Sequence, residues 1–97
     1  MKPLEATPDL LKAARSVVWF QQPEETIRDP IRFLAYAMTF GGPGDLLALQ
    51  KSGISIDEYA EVLDHAPPGI FDRRSWAYWN LKCGRSVVPP LPVRNVP

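Results

Sequence analysis

The chain has 97 residues, of which 45% are hydrophobic, and its eleven basic and eleven acidic side chains give a formal net charge of zero. One domain fits this length, and the balanced charge argues against a dedicated nucleic-acid binder, which needs a surplus of Lys and Arg. A single cysteine excludes an internal disulfide framework and fits a reducing cytoplasm, and no apolar run approaches the ~20 residues that cross a membrane.

Prolines mark the starts of the first predicted helices. In Thr7-Pro8-Asp9 a capping threonine precedes a proline at the first helical position and an acid near the positive helix end, which predicts a helix that ends near Trp19–Phe20. Asp29-Pro30 repeats this signal, and apolar side chains at i, i+3, i+4 and i+7 predict the main core helix, whose apolar face includes Phe40. Gly41-Gly42 should end that helix.

Three shorter helices are predicted after the core helix in the sequence. Pro43 opens the first of them, and Gly53 should end it in a left-handed conformation. The capping box Ser55-Ile56-Asp57-Glu58 predicts the start of the next, which Pro67-Pro68-Gly69 ends. The last predicted helix is rich in aromatic side chains and starts directly after Asp72, which should cap it.

These signals predict an all-α fold, a compact bundle of about five short helices. Residues 1–86 form a single helical domain in this interpretation, and residues 87–97 form an extended, proline-rich tail. No alternation with the period of a strand runs for a useful length.

No set of side chains predicts catalysis, a cofactor or a metal site. His65 is the only histidine and Cys83 the only cysteine, whereas a structural zinc site needs four nitrogen or sulfur ligands. Cys83 lies at the end of a predicted helix, where the helix dipole disfavours a thiolate. The Gly41–Gly44 stretch lacks the flanking strand and the Lys-Ser/Thr pair of a phosphate-binding loop. We therefore expect a protein that is not an enzyme.

The third and fourth predicted helices, with Ser52–Ser55 between them, have the order of a helix-turn-helix. The outer face of the second helix carries four carboxylates, which would repel DNA phosphates: Asp57, Glu58, Glu61 and Asp64. A DNA-binding autoregulator therefore stays an alternative, and nucleic acid is not the expected partner.

The C-terminal third carries the strongest sign of a binding surface. Residues 67–97 hold five basic side chains against Asp72 alone, and Pro89–Arg94 matches a Pro-x-x-Pro-x-Arg pattern that either binds an aromatic groove or folds over the chain's own rings. So small a bundle cannot easily bury all of its aromatic side chains, and Trp, Tyr and Arg are enriched at binding hot spots. The predicted partner-binding residues are Phe71, Arg73, Arg74, Trp76, Tyr78, Trp79, Arg85, Pro89, Pro90, Leu91, Pro92 and Arg94.

The order of several short motifs resembles a known group of proteins. These motifs are Trp19-Phe20, Asp29–Phe40, Gly42 with Asp45, Leu46-Leu47-Ala48-Leu49, Gly53, Glu61-Val62-Leu63 and Phe71–Trp79. Over residues 17–94 the chain resembles small, largely uncharacterised bacterial proteins that are often encoded beside nucleotidyltransferase toxins of the abortive-infection (AbiEii) type. Ser75–Trp79 and Pro89–Pro92 are the most specific parts of this resemblance.

The resemblance implies an antitoxin-like companion that binds and restrains such a toxin and has no activity of its own. Because the group supplies no agreed functional residues, the site residues above rest on chemistry alone. We expect the aromatic and arginine face to dock on the toxin, with the proline-rich tail in a groove, and to block access of nucleotide or tRNA. A homodimer that associates through the tryptophan face is a further alternative.

Overall fold

The structure is a computed structural model that describes residues 1–92. Six α-helices lie in this range: α1 (Pro8–Val17), α2 (Pro23–Thr26), α3 (Pro30–Phe40), α4 (Pro43–Lys51), α5 (Ile56–Asp64) and α6 (Arg73–Lys82). The predicted all-α class is confirmed, with one helix more than expected. Of the six helices, none has the length and apolar character needed to cross a bilayer. The last five residues of the predicted tail lie outside the described range.

The helix starts follow the local capping signals. The Thr7 side chain accepts a hydrogen bond from the backbone amide of Leu10 at 3.2 Å, and a carboxylate oxygen of Asp29 accepts one from the amide of Arg32 at 3.3 Å. Both helices place a proline at their first position, where no intrahelical N–H bond is lost. Such short-range pairs satisfy the amides that each helix start leaves without an intrahelical partner.

The region between α1 and α3 differs from the prediction. Helix α1 ends at Val17 and not near Trp19–Phe20, and the added helix α2 begins at Pro23. The hydroxyl of Thr26, which is buried, donates to the side-chain oxygen of Gln21 at 2.9 Å and ties α2 to the preceding turn. The early end of α1 leaves its two following aromatic residues in a turn, not on a helix face.

Two kinds of glycine end the helices. Gly53 follows α4 with a φ of 88°, in the predicted left-handed conformation. Gly41 follows α3 with a φ of −69°, and a Cβ atom there would clash with the carbonyl oxygen of Ala37. Glycine at position 41 is therefore required for close backbone approach and not for its left-handed freedom.

Helix α3 is the centre of the bundle, as predicted. It packs against each of the other five helices. Phe33, Leu34, Ala35 and Ala37 are completely buried on it. The two alanines allow neighbouring helices to approach, and the two larger side chains fill the space between them.

Helices α4 and α5 are consecutive but do not pack against each other. Helix α4 packs on α1 and α3, whereas α5 packs on α3 and α6. A carboxylate oxygen of Asp45 accepts hydrogen bonds from the Ser16 hydroxyl at 3.2 Å and from the Gly42 amide at 3.0 Å, and so connects α4 to α1. The two helices therefore do not pack together as the helix-turn-helix considered from the sequence would.

Candidate partner-binding surfaces

Three of the predicted contact residues belong to the core. Phe71, Trp76 and Trp79 are only 4–5% exposed. The rings of Phe71 and Trp76 meet at a centroid distance of 5.4 Å, and Trp79 packs on Tyr59 at 4.7 Å. A ring buried in this way offers almost no surface to a docked protein. The structure therefore corrects the expected contact role of these three side chains to one of support.

The two buried indoles also satisfy backbone carbonyl groups. Nε1 of Trp79 donates to the carbonyl oxygen of Met38 at 2.7 Å. That oxygen is one of the last four in α3 and has no partner within its own helix. Nε1 of Trp76 donates to the carbonyl oxygen of Pro89 at 2.8 Å. Trp79 thus holds α6 on the central helix, and Trp76 holds the segment that follows α6.

Arg85 is bound within the fold as well. Its guanidinium donates to Asp64 at 2.6 Å, to the carbonyl oxygen of Ala60 at 3.2 Å and to the side-chain oxygen of Asn80 at 3.2 Å. Asn80 is completely buried, and its side-chain amide donates to the carbonyl oxygen of Trp76 at 2.8 Å. Arg85 therefore connects the end of α6 to α5. These contacts within the fold account for the arginine without any binding partner.

The outer face of α6 keeps the exposed part of the predicted site. Arg74, Tyr78 and Leu81 follow one another at i, i+4 and i+7, so they lie along one side of the helix. Tyr78 is 54% and Leu81 60% exposed, and Arg74 is exposed at the start of the helix. The ammonium of Lys82 lies 5.7 Å from the centre of the Tyr78 ring. We call Arg74, Tyr78 and Leu81 the α6 outer face.

The remaining predicted residues flank this face. Arg73 is exposed next to Arg74, and Pro89 and Pro90 are exposed beyond the helix end. Leu91 and Pro92 are half-buried, with Leu91 packed against the core. The segment from Pro89 to Pro92 is therefore attached to the chain itself at two points, the Trp76–Pro89 hydrogen bond and the packing of Leu91 on the core. Arg94 lies outside the described residues.

A second exposed aromatic surface was missed by the sequence analysis. Trp19 is 80%, Phe20 58% and Phe40 61% exposed. Ring centroids are 5.6 Å apart for Trp19 and Phe20, 6.0 Å for Phe20 and Tyr36, and 5.9 Å for Tyr36 and Phe40. We call these four residues the aromatic ridge. The prediction that Phe40 faces the core is wrong, because α3 ends there and its last turn directs the ring outward.

The ridge combines a turn and one face of a helix. Trp19 and Phe20 come from the turn after α1, whereas Tyr36 and Phe40 are one helical turn apart on α3. Arg32 is one turn earlier on the same side, with its guanidinium carbon 5.5 Å from the centre of the Tyr36 ring. The i, i+4, i+8 spacing of these three α3 residues, opposite the buried stripe, is the sequence signal that could have identified this surface.

The candidate residues for other chemistry are isolated. Cys83 is half-buried, its thiol lies 3.9 Å from the carbonyl oxygen of Ile56, and burial raises the pKa of that thiol. His65 is exposed at the end of α5. Within residues 1–92, no three His, Cys, Asp or Glu side chains come close enough together to hold a metal ion.

No protein-family model, curated protein or solved structure matches this chain.

Proposed function

We propose that this chain is a non-catalytic protein-interaction module that binds its partner through the α6 outer face. The observation that carries the proposal is the exposed row of Arg74, Tyr78 and Leu81, a cation, an aromatic ring and an aliphatic side chain at helical spacing. A helix with anchors at i, i+4 and i+7 suits docking into an apolar groove. Tyr and Arg are also the residue types that dominate binding hot spots.

The charge of this face defines the groove that it fits. Arg73, Arg74 and Lys82 are exposed on α6, and the one acid at its start, Asp72, caps the helix by accepting from the Ser75 amide at 2.7 Å. A partner with an apolar groove and an acidic rim would match this arrangement.

The rigid attachment of α6 supports its use as a docking helix. Trp79 on the inner side of α6 bonds to α3, and Arg85, which follows the helix end, bonds to Asn80 of α6 and to α5. Little conformational entropy is then lost when the outer face binds, which favours affinity. We also include the proline-rich tail from residue 87 onward in the interface, since Pro89 and Pro90 are exposed beyond the helix end while the hydrogen bond from Trp76 to Pro89 holds this part of the tail beside α6.

The proposed partner is a nucleotidyltransferase-type toxin encoded nearby, and the chain is its antitoxin-like companion in a bacterial cytoplasm. This identity rests on the sequence resemblance alone, and the α6 outer face supplies the means of binding. Restraint of the toxin would follow if the docked helix and tail cover the entry for nucleotide or tRNA.

Co-expression with the product of the neighbouring gene tests the proposal, with affinity purification and growth as readouts. We expect the nucleotidyltransferase to co-purify with the chain and its toxicity to fall. The combined variant Arg74→Ala, Tyr78→Ala, Leu81→Ala should lose both effects while staying folded, because all three side chains are exposed. Leu47→Ala is the matched control, since Leu47 is an exposed leucine (49%) on a different helix, α4.

Two results would contradict the proposal at different levels. A toxin that neither co-purifies nor loses toxicity removes the assigned partner. Binding that survives the triple variant, shown to be folded by circular dichroism, removes the α6 outer face as the docking surface.

A further inference from the structure

The aromatic ridge lies outside the surface assigned to the partner and needs its own explanation. Large aromatic side chains lose favourable burial when they stand in water, and the largest contiguous apolar patch on a monomer, typically a few hundred Å², is often functional. Trp19, Phe20 and Phe40 are each more than half exposed, and ring contacts join them, through Tyr36, into one continuous patch. We propose that the ridge is the two-fold interface of a homodimer of this chain.

The exposed area suits a second copy. Aromatic side chains of this kind offer ~150–250 Å² each, so exposures of 80%, 58% and 61% leave on the order of 400 Å² of ring surface. Two ridges facing each other would remove roughly 800 Å² from the rings alone, against ~1,200 Å² for a small specific interface. Tyr36 and the polar side chains beside the ridge supply the remaining area.

The charges beside the ridge are complementary to themselves. Glu25 lines a cleft with Trp19 and Phe20, and it also lines a second cleft with Arg32 and Tyr36. Within residues 1–92 neither Glu25 nor Arg32 makes an ion pair. In a two-fold dimer every contact between two different residues occurs twice, once in each direction, so Arg32 of each copy can face Glu25 of the other.

Other occupants fit this surface less well. Glu24, Glu25 and Asp29 lie on or between the elements that build the ridge and outnumber Arg28 and Arg32, so the local charge does not favour a nucleic-acid or anionic lipid phosphate. Because the formal net charge of the chain is zero, no long-range repulsion opposes the association of two copies. A patch with both signs of charge and a neutral carrier therefore favours a second copy of the same chain.

Sedimentation equilibrium of the full chain across the micromolar range tests the proposal. We expect a monomer of 10.9 kDa at low concentration and a dimer of twice that mass at high concentration. Trp19→Ser should weaken the dimer roughly 30-fold or more, as loss of a hot-spot ring does. Leu81→Ser is the control, because Leu81 is 60% exposed on α6 but lies outside the ridge. Circular dichroism should show all three proteins to be folded.

A charge exchange tests the choice of occupant. Arg32→Glu and Glu25→Arg should each weaken self-association, since each places like charges opposite one another twice. A mixture of the two variants should restore a dimer, because both contacts then join opposite charges. Failure of the mixture to associate would overturn the self-complementary interface.

The remaining outcomes also decide the matter. A monomer at every concentration overturns the proposal, as does a dimer that Trp19→Ser leaves intact or that Leu81→Ser weakens equally. Because the variants expected to abolish toxin binding lie on α6 and those expected to weaken the dimer lie on or beside the ridge, the failure of one proposal is distinguishable from the failure of the other.

Discussion

The two aromatic regions of this protein show how similar side chains come to serve different purposes. Around α6, Trp76 and Trp79 are 4% exposed, and each indole N–H donates to a backbone carbonyl group. At the aromatic ridge, Trp19 is 80% exposed and touches another exposed ring, Phe20. The first region holds three helices and the segment beyond α6 together, whereas the second adds surface that the monomer does not bury.

The difference depends on position in the local structure and not on residue type. Trp76 and Trp79 lie at i, i+3 inside a helix, so both rings lie on its inner side, where other parts of the chain cover them. Trp19 and Phe20 follow the end of α1 in a turn, where no second layer of helix covers them. A tryptophan just past a helix end is therefore a better candidate for an interface than one inside a helix.

The largest expected contrast is between two alanine substitutions. Trp79→Ala should lower the free energy of unfolding by about 3–5 kcal/mol, because it leaves a cavity against Tyr59 and an unpaired carbonyl on Met38. Trp19→Ala should change it by no more than about 0.5 kcal/mol in the monomer, since the side chain is mostly in water. Urea unfolding at low protein concentration measures both, and equal losses would break the comparison.

A smaller effect is expected at the polar connection behind α6. Arg85→Ala should lower the free energy of unfolding by about 1–3 kcal/mol, because the Asn80 side-chain oxygen and the Ala60 carbonyl group lose their donor. Arg74→Ala is the control and should be nearly neutral, because Arg74 is an exposed arginine near the start of α6. If Arg85→Ala is as stable as the control variant, Arg85 does not stabilise the fold and its side chain is available to a partner.

The buried region should respond to alkaline pH. Burial, with a smaller contribution from the nearby Glu58 carboxylate, raises the pKa of Tyr59 to about 12. Because the unfolded chain ionises near pH 10 and the folded one later, stability falls as the pH rises from 10 towards 12, by about 1 kcal/mol at pH 11. Tyr59→Phe should lack this part of the loss in urea unfolding at pH 9 and 11. Identical pH dependence in both proteins would contradict the burial of this ring.

The smallest effect concerns the start of α6. Hydrogen bonds from Ser75 hold the pKa of the Asp72 carboxyl below its usual value. The cap therefore stabilises the fold above the unfolded pKa, near 4, and its contribution is lost as pH falls through the lower folded pKa. Asp72→Ala should cost about 1 kcal/mol at pH 7 and progressively less in acid. A penalty that stays constant down to pH 2 would rule out this capping role.

The sequence was sufficient where structure is local. Thr7, Asp29, Ser55 and Asp72 cap their helices as predicted, because each bonds an amide only three residues ahead. The central position of α3 followed from its apolar periodicity. Helix α2 was missed although Pro23 and two acids mark its first turn, since four residues give no periodicity.

The candidate site was less predictable because burial is a tertiary property. The partner of the Trp79 indole is 41 residues away in the sequence, and the contacts of Arg85 on α5 are 21 and 25 residues away. The spacing within α6 puts the two tryptophans on one side and Arg74 with Tyr78 on another, but it does not say which side faces the core, and Arg85 lies beyond the helix end. Similarly, the exposure of Phe40 depends on where α3 ends relative to its neighbours.

Iodide quenching of tryptophan fluorescence at low protein concentration tests the division between the two aromatic regions most directly. The account predicts that Trp19 supplies most of the quenchable emission, so that Trp19→Phe leaves a blue-shifted signal from Trp76 and Trp79 that iodide barely quenches. If the remaining emission of the Trp19→Phe protein is quenched as strongly as that of the wild type, the α6 tryptophans are exposed and the account is wrong.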